Sequence, residues 1–149
     1  MRLTKASDYA LVLLAHLAAL SPGERASVRQ IATCYGVPQR FLAVIVHRLA
    51  KTGLLHSMKG SNGGIRLARR SSEITLREVI EAVEGPIRMT DCQGPGCLCE
   101  RGDHCTARHF WDVANEKILN SLNATTLEEI AGWVPWPQEE VATGERTEP

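Results

Sequence analysis

Residues 27–67 read SVRQIATCYGVPQRFLAVIVHRLAKTGLLHSMKGSNGGIRL, and this stretch decides the fold. Ser27 with Gln30 three residues later is a capping-box signature. The hydroxyl can accept from the orphan amides of a helix start while the carboxamide reaches back to the cap. The helix so opened is expected to end near Tyr35-Gly36. Pro38 suits the first residue of the next helix, where its missing N–H would be unpaired in any case, and that helix is expected to run through Lys51 to Gly53. Along it Leu42, Ile45, Val46 and Leu49 share one face, while Arg40, Val44, His47 and Lys51 share another. A helix, a tight turn, and a second helix that is apolar inside and basic outside make a helix-turn-helix, whose second helix enters the major groove of DNA.

Downstream, Leu54 to Lys59 reads as a short strand, Gly60-Ser61-Asn62-Gly63-Gly64 as a tight turn and Ile65 to Ala68 as the return strand. This hairpin is a wing, with Lys59, Arg66, Arg69 and Arg70 along its rim and base, where they can meet phosphates or reach into the minor groove. A nucleotide-phosphate loop is disfavoured, because no helix opens after Gly64. Upstream, Ala10, Leu11, Leu13, Leu14, Leu17 and Ala18 repeat at helical spacing after Thr4 until Ser21-Pro22-Gly23 stops them. Further on, Thr75-Leu76-Arg77-Glu78 is a second capping box, and Gly85-Pro86 ends its helix. A helical pattern returns from Ala107 to about Leu122, with an apolar stripe of Phe110, Val113, Ala114, Ile118 and Leu122 that needs a partner, either its own core or a second subunit. Thr125-Thr126-Leu127-Glu128 caps a last short helix, and Pro135 to Pro149 reads as a disordered tail.

The 149 residues suit one domain with an extension, and their net charge of zero hides two opposite halves. Residues 1–70 carry eleven Lys and Arg against Asp8 and Glu24, a net of +9, and residues 71–149 carry six against fifteen acids, a net of −9. The first half is therefore a candidate polyanion binder. The chain opens on an amphipathic pattern without a signal-peptide or membrane-spanning run, so a cytoplasmic protein with no membrane partner is expected.

Five cysteines are present, and Cys92, Cys97, Cys99 and Cys105 fall within one glycine-bearing segment, close to His104 and His109. Thiolates are soft ligands, so this clustering points to zinc or an iron–sulfur cluster rather than to a disulfide framework or a hard cation. Structural zinc prefers paired C-x2-C knuckles, which are missing here, whereas the wider spacings suit the perimeter of a cluster. Cys34 reads as a core or surface thiol. No β-α-β pattern surrounds the cysteines and no nucleophile, base and orienter fall together, which argues against an enzyme, including a thiol enzyme built on Cys97 and Cys99.

In combination these pieces resemble the IscR and NsrR type of winged-helix regulators, the Rrf family, over roughly residues 1–132. The matching residues are Arg2-Leu3-Thr4-Lys5 with Asp8-Tyr9-Ala10, Lys51 to Leu54 leading to Gly60-Ser61-Asn62-Gly63-Gly64, Thr75 to Ile80, and Glu84-Gly85-Pro86. Met89-Thr90-Asp91-Cys92 and the stretch Asn123 to Ile130 look most like members that regulate iron–sulfur assembly operons of the suf type. The resemblance implies a homodimer crossed by the long late helix and bound to palindromic double-stranded operator DNA. It also implies a cluster held by three cysteines, which map onto Cys92, Cys99 and Cys105, with 2Fe-2S ahead of 4Fe-4S. Cys97 is a departure from the pattern and the alternative to Cys99. For the fourth ligand, which differs among relatives, this sequence offers Asp8, matching the aspartate of nitric-oxide-sensing members, ahead of His109 and His104. The position where IscR-type members carry a histidine is Arg108 here.

The expected architecture is thus mainly α with a small β hairpin: a winged helix-turn-helix over 1–86, a cysteine-rich cluster loop over 87–106, a dimerisation helix and short terminal helix over 107–134, and the tail. DNA contact is expected from Gln39, Arg40, His47, Arg48 and Lys51 on the helix and from Lys59, Ser61 and Asn62 on the wing. The expected function is a cluster-containing repressor that senses cluster, iron or redox status and controls iron–sulfur assembly genes. A nitric-oxide-sensing repressor and a zinc-stabilised DNA-binding protein are the alternatives.

Overall fold

Helix α1 (Lys5–Ala19) starts where Thr4 accepts the Ala6 amide on its side chain, and it ends at an extended Leu20. The computed structural model describes residues 3–96, 99, 101 and 104–133; Cys97 and the tail from Pro135 lie outside the described residues. Helix α2 (Val28–Cys34) forms the full capping box between Ser27 and Gln30. Helix α3 spans Gln39–Lys51. Pro38 is its cap rather than its first residue: its ψ of 124 is extended, and it contributes the carbonyl that accepts from Phe41 and Leu42. Strands β1 (Leu55–Met58) and β2 (Gly64–Leu67) pair antiparallel, with Leu55 opposite Leu67 and Ser57 opposite Ile65. Ala26 adds a single antiparallel bridge to Ile65, so the loop before α2 supplies a third backbone edge to the hairpin.

A 3-10 turn at Ser71–Glu73 leads to helix α4 (Leu76–Glu84), whose capping box pairs Thr75 with Glu78. A second short 3-10 turn, Asp91–Gln93, carries Cys92. Helix α5 (Thr106–Ala124) is the longest element, and helix α6 (Leu127–Trp133) returns to the body. The return is pinned by backbone bonds, since Leu76 donates to the Thr125 carbonyl at 2.9 Å and Leu127 donates to the Ile74 carbonyl at 2.9 Å.

The core lies between α1, α3, α4 and α6, and Leu13, Leu14, Leu49, Ile74, Val79 and Leu127 are completely buried in it. Leu42, Ile45 and Val46 join Leu49 on the inner face of α3, as the spacing required. The predominance of helices around one two-stranded hairpin is the architecture expected from the sequence. No helix among the described residues is long and apolar enough to cross a membrane.

Candidate functional site

Because α3 buries one face, its opposite face is delivered to solvent. Gln39, Arg40, His47 and Lys51 are exposed there. So are Phe41 (51%) and Val44 (54%), large apolar residues on the face of a helix that otherwise buries such side chains. The Arg40 guanidinium carbon lies 5.1 Å from the Phe41 ring centroid, which holds the cation over an aromatic face instead of leaving it to wander. Sequence reasoning misses Phe41, and the signal that could have found it is its place one residue before the buried Leu42.

Arg48 behaves differently. Its Nη1 donates to the Val83 carbonyl at 2.8 Å, so this guanidinium satisfies one of the orphan carbonyls of the last turn of α4. Arg48, expected to meet phosphate, is exposed and also ties α3 to α4. Next to it, the Glu84 carboxylate accepts from Ser7 Oγ at 2.7 Å, from the Thr4 amide at 3.1 Å and from the Thr4 hydroxyl. Partial desolvation opposes ionisation of Glu84, but these hydrogen bonds and the Arg48 charge outweigh it and hold the carboxyl below its ordinary range. Ser7, Thr4, Glu84 and Arg48 thus bind α1, α3 and α4 at one corner, a role that no local pattern announces because the partners are far apart in sequence.

The wing presents Lys59, Ser61 and Asn62 to solvent. Its turn needs glycine: a side chain at Gly63 would strike the Met58 carbonyl, and Gly60 has a φ of +108. Arg25, which sequence reasoning also misses, braces the tip by donating from Nη1 to the Asn62 carbonyl at 3.1 Å. At the base of the wing, Arg69 is engaged with Glu78 at 2.7 Å and Arg70 is exposed. Arg66 is half-buried, and its Nε has no hydrogen-bond partner among the described residues.

The acidic half carries the thiols. Cys92 sits in the 3-10 turn, half-buried, with Thr90 Oγ1 3.1 Å from its sulfur. Cys105 is the N-terminal cap residue of α5 and makes no side-chain capping bond, so its half-buried thiol is uncommitted at a helix end that favours negative charge. Cys99 is exposed, and so is Cys34, the last residue of α2. Asp8, His104 and His109 are all exposed. Among the described residues, no three His, Cys, Asp or Glu side chains are gathered closely enough to hold a metal ion. The donor set nonetheless suits a soft metal centre by its chemistry, because Cys92, Cys99 and Cys105 are free thiols on one segment, Cys99 exposed and the other two half-buried.

Helix α5 leaves this loop with no residue fully buried, and Phe110 (61% exposed) and Val113 (40%) stand on its outer side. Ala114, Ile118 and Leu122 of the same stripe are half-buried.

This combination has counterparts among known proteins. The chain is 34% identical over 131 residues to the HTH-type transcriptional regulator NsrR of Geobacillus kaustophilus, covering 87% of this chain and 89% of that one. It is also 34% identical over 130 residues to the HTH-type transcriptional regulator IscR of Klebsiella pneumoniae, covering 87% and 79%. Among solved structures, CymR (YrzC), the global cysteine regulator of B. subtilis, superposes with a TM-score of 0.77 at 25% identity, covering 91% of this chain and 99% of that one. Residues 3–132 match the Rrf2 family, described as an iron-dependent transcriptional regulator. The chain therefore belongs to the Rrf2 family of winged-helix transcriptional regulators and is not an enzyme.

Proposed function

We propose that this regulator is an iron–sulfur-cluster-containing repressor that binds double-stranded operator DNA as a homodimer and controls iron–sulfur assembly genes according to cluster supply. The observation that carries this reading is the attachment of a loop of accessible thiols directly to α5, in a chain whose other half is a basic winged helix. Cys92, Cys99 and Cys105 would hold the cluster. Asp8 remains the first choice for a fourth ligand, ahead of His109 and His104, and Cys97 is the alternative to Cys99. When bound, the cluster supplies a redox-active centre whose integrity depends on iron, oxygen and nitric oxide.

The protein's own residues do the rest. Arg40, His47 and Lys51 on α3, with Gln39 beside them, face the major groove, and Phe41 and Val44 can pack on thymine methyl groups. Lys59, Ser61 and Asn62 carry the wing toward phosphates and the minor groove, and Arg25 keeps its tip in place. A second copy of the chain covers the apolar side of α5, because a helix of this length with no buried residue has not spent its apolar surface within one subunit. Helix α4 is the shared support: its first residue is bonded to the end of α5 and its last turn is bonded to α3 through Arg48.

Absorption spectra with iron, sulfide and zinc analysis on protein purified without oxygen test the reading. A brown protein with matched iron and sulfide, colourless when Cys92, Cys99 or Cys105 is changed to alanine, is the expected result, and the spectrum separates 2Fe-2S from 4Fe-4S. Stoichiometric zinc in a colourless protein would leave a DNA-binding protein without a sensor. Rapid loss of colour with nitric oxide but not with iron chelation would move the signal, but not the site.

A further inference from the structure

The residue after Cys92 is bonded at both ends of its side chain. Gln93 Oε1 accepts from the Met89 amide at 2.9 Å and from the Thr90 amide at 3.1 Å. Its Nε2 donates to the Trp111 carbonyl at 3.0 Å and to Asp112 Oδ1 at 3.1 Å. The surroundings dictate this orientation of the carboxamide, because one side offers only N–H donors and the other only oxygen acceptors. The same 3-10 turn holds Cys92, whose sulfur is 3.1 Å from the Thr90 hydroxyl. Thus Thr90 touches the sulfur through its side chain and accepts the Gln93 backbone amide on its carbonyl at 3.3 Å, while the Gln93 side chain reaches across to α5, eighteen and nineteen residues further on.

A main-chain carbonyl in the middle of a helix normally serves only the amide four residues ahead. The Trp111 carbonyl takes a second donor, and it takes it from the cysteine loop. Asp112 is otherwise an exposed carboxylate, so its bond to a neutral amide is a partnership between neighbours and not a buried ion pair. Helix α5 is in turn bonded at its far end to the first residue of α4, through Leu76 and Thr125.

We infer that Gln93 is the positioning residue that makes α5 respond to the state of Cys92, the carboxamide passing any shift of the 3-10 turn to Trp111 and Asp112. The inference rests on the cluster reading above and adds to it the element by which loading is felt. It also predicts which chemistry at position 93 fails. Gln93→Glu keeps an oxygen toward the Met89 and Thr90 amides but turns its other oxygen on the Trp111 carbonyl and the Asp112 carboxylate, so the turn stays capped and the bridge is lost. Asp112→Asn in the same chain restores a donor opposite the introduced carboxylate.

Hydrogen exchange of the segment 106–118, measured on the full-length protein with and without cluster, reads this directly. In the wild type, loading is expected to slow exchange there several-fold. In Gln93→Glu, iron and sulfide content should match the wild type while the loading-dependent slowing disappears, and Gln93→Glu with Asp112→Asn should recover most of it. Equal slowing in the wild type and Gln93→Glu at equal iron and sulfide would overturn the role of Gln93 while leaving the cluster reading intact. A wild type that takes up no cluster would overturn both, and the metal analysis distinguishes that case before any exchange is measured. A Gln93→Glu protein that exchanges fast throughout its core and is not recovered by Asp112→Asn would show a folding role and sink the inference.

Discussion

Helices α1 and α3 run for 15 and 13 residues and place Leu13, Leu14 and Leu49 at 0% exposure, whereas α5 runs for 19 and buries none of its residues fully. The charge divides earlier along the chain, +9 over residues 1–70 and −9 over residues 71–149, so the packed helix α4 falls in the acidic half. The first region is held by apolar packing around a fixed arrangement of α1, α3 and α4, and it presents its basic residues on helix and strand. The second region is held through caps, the Gln93 bridge, two backbone bonds to the body and a single fully buried anchor among its described residues, Leu127. A surface that reads DNA must be rigid before it binds, while the sensing loop proposed above must be able to change. The low density of apolar contacts along α5 places it at the low-stability end of the molecule.

The largest effect that can sharpen this comparison is a pair of truncations. Leu14→Ala empties a fully buried position and should cost about 2–5 kcal/mol, read from the denaturation midpoint by circular dichroism. Phe110→Ala, although it removes a larger side chain, should leave the midpoint of the monomer nearly unchanged and instead weaken self-association in sedimentation. A large stability loss at Phe110 in dilute, monomeric protein would break the distinction between the two regions.

A smaller effect lies in the salt dependence of DNA binding. Arg40→Ala and Lys51→Ala should each lower the slope of log K against log salt by about one on duplex DNA, the signature of one lost phosphate contact. Arg88→Ala, an exposed cation in the acidic half, should leave the slope as it is. Arg48→Ala should disturb folding more than the slope, because its guanidinium is committed to Val83. Unchanged slopes for both Arg40→Ala and Lys51→Ala would remove α3 from the interface.

The smallest effect concerns His16, buried on α1 with Nδ1 3.0 Å from the Tyr35 hydroxyl. Desolvation lowers its pKa below 6.5, and the Glu24 charge offsets only part of that. Burial likewise pushes the Tyr35 phenol up to about 12, helped by Cys34, so the phenol stays neutral throughout the working range. The unfolded chain therefore takes up the His16 proton more readily than the folded one. The contribution of neutral His16 is fully present above pH 6.5 and is lost as pH falls below it. Thermal midpoints between pH 8 and pH 5.5 should fall with pH, and His16→Asn should flatten that dependence. An equally steep fall in the variant would place the titrating group elsewhere.

Much of this is legible in the residues themselves. The capping boxes at Ser27 and Thr75 form with the partners their spacing names, and the apolar face of α3 goes inside because its period is that of a helix. A third box of the same pattern, Thr90 with Gln93, escapes a reading that looks for caps only at the start of long helices, although it marks the turn that carries Cys92. Arg48 looks like Arg40 and Lys51 in the sequence, three cations on one helix. Only the arrival of α4 beside it, thirty-five residues later, gives its guanidinium a carbonyl to serve. Arg69 reads as wing-base charge and is held by Glu78 for the same reason. In the cysteine loop, residue type and spacing point to the soft-ligand chemistry proposed above, while the choice among Asp8, His104 and His109 depends on positions that spacing does not encode.

What the sequence determined by itself is therefore local: where helices start, which face of each is apolar, where glycine must turn the wing, and that a basic half is joined to a thiol-bearing one. Each of these follows from interactions spanning a few residues. Tertiary structure alone decided which cations are bonded to carbonyls or carboxylates of the chain itself, that Arg25 braces the wing, and that Gln93 joins the Cys92 turn to Trp111 and Asp112. A hydrogen bond is satisfied by whichever partner the fold brings within about 3 Å, and distance along the chain says nothing of which partner that will be.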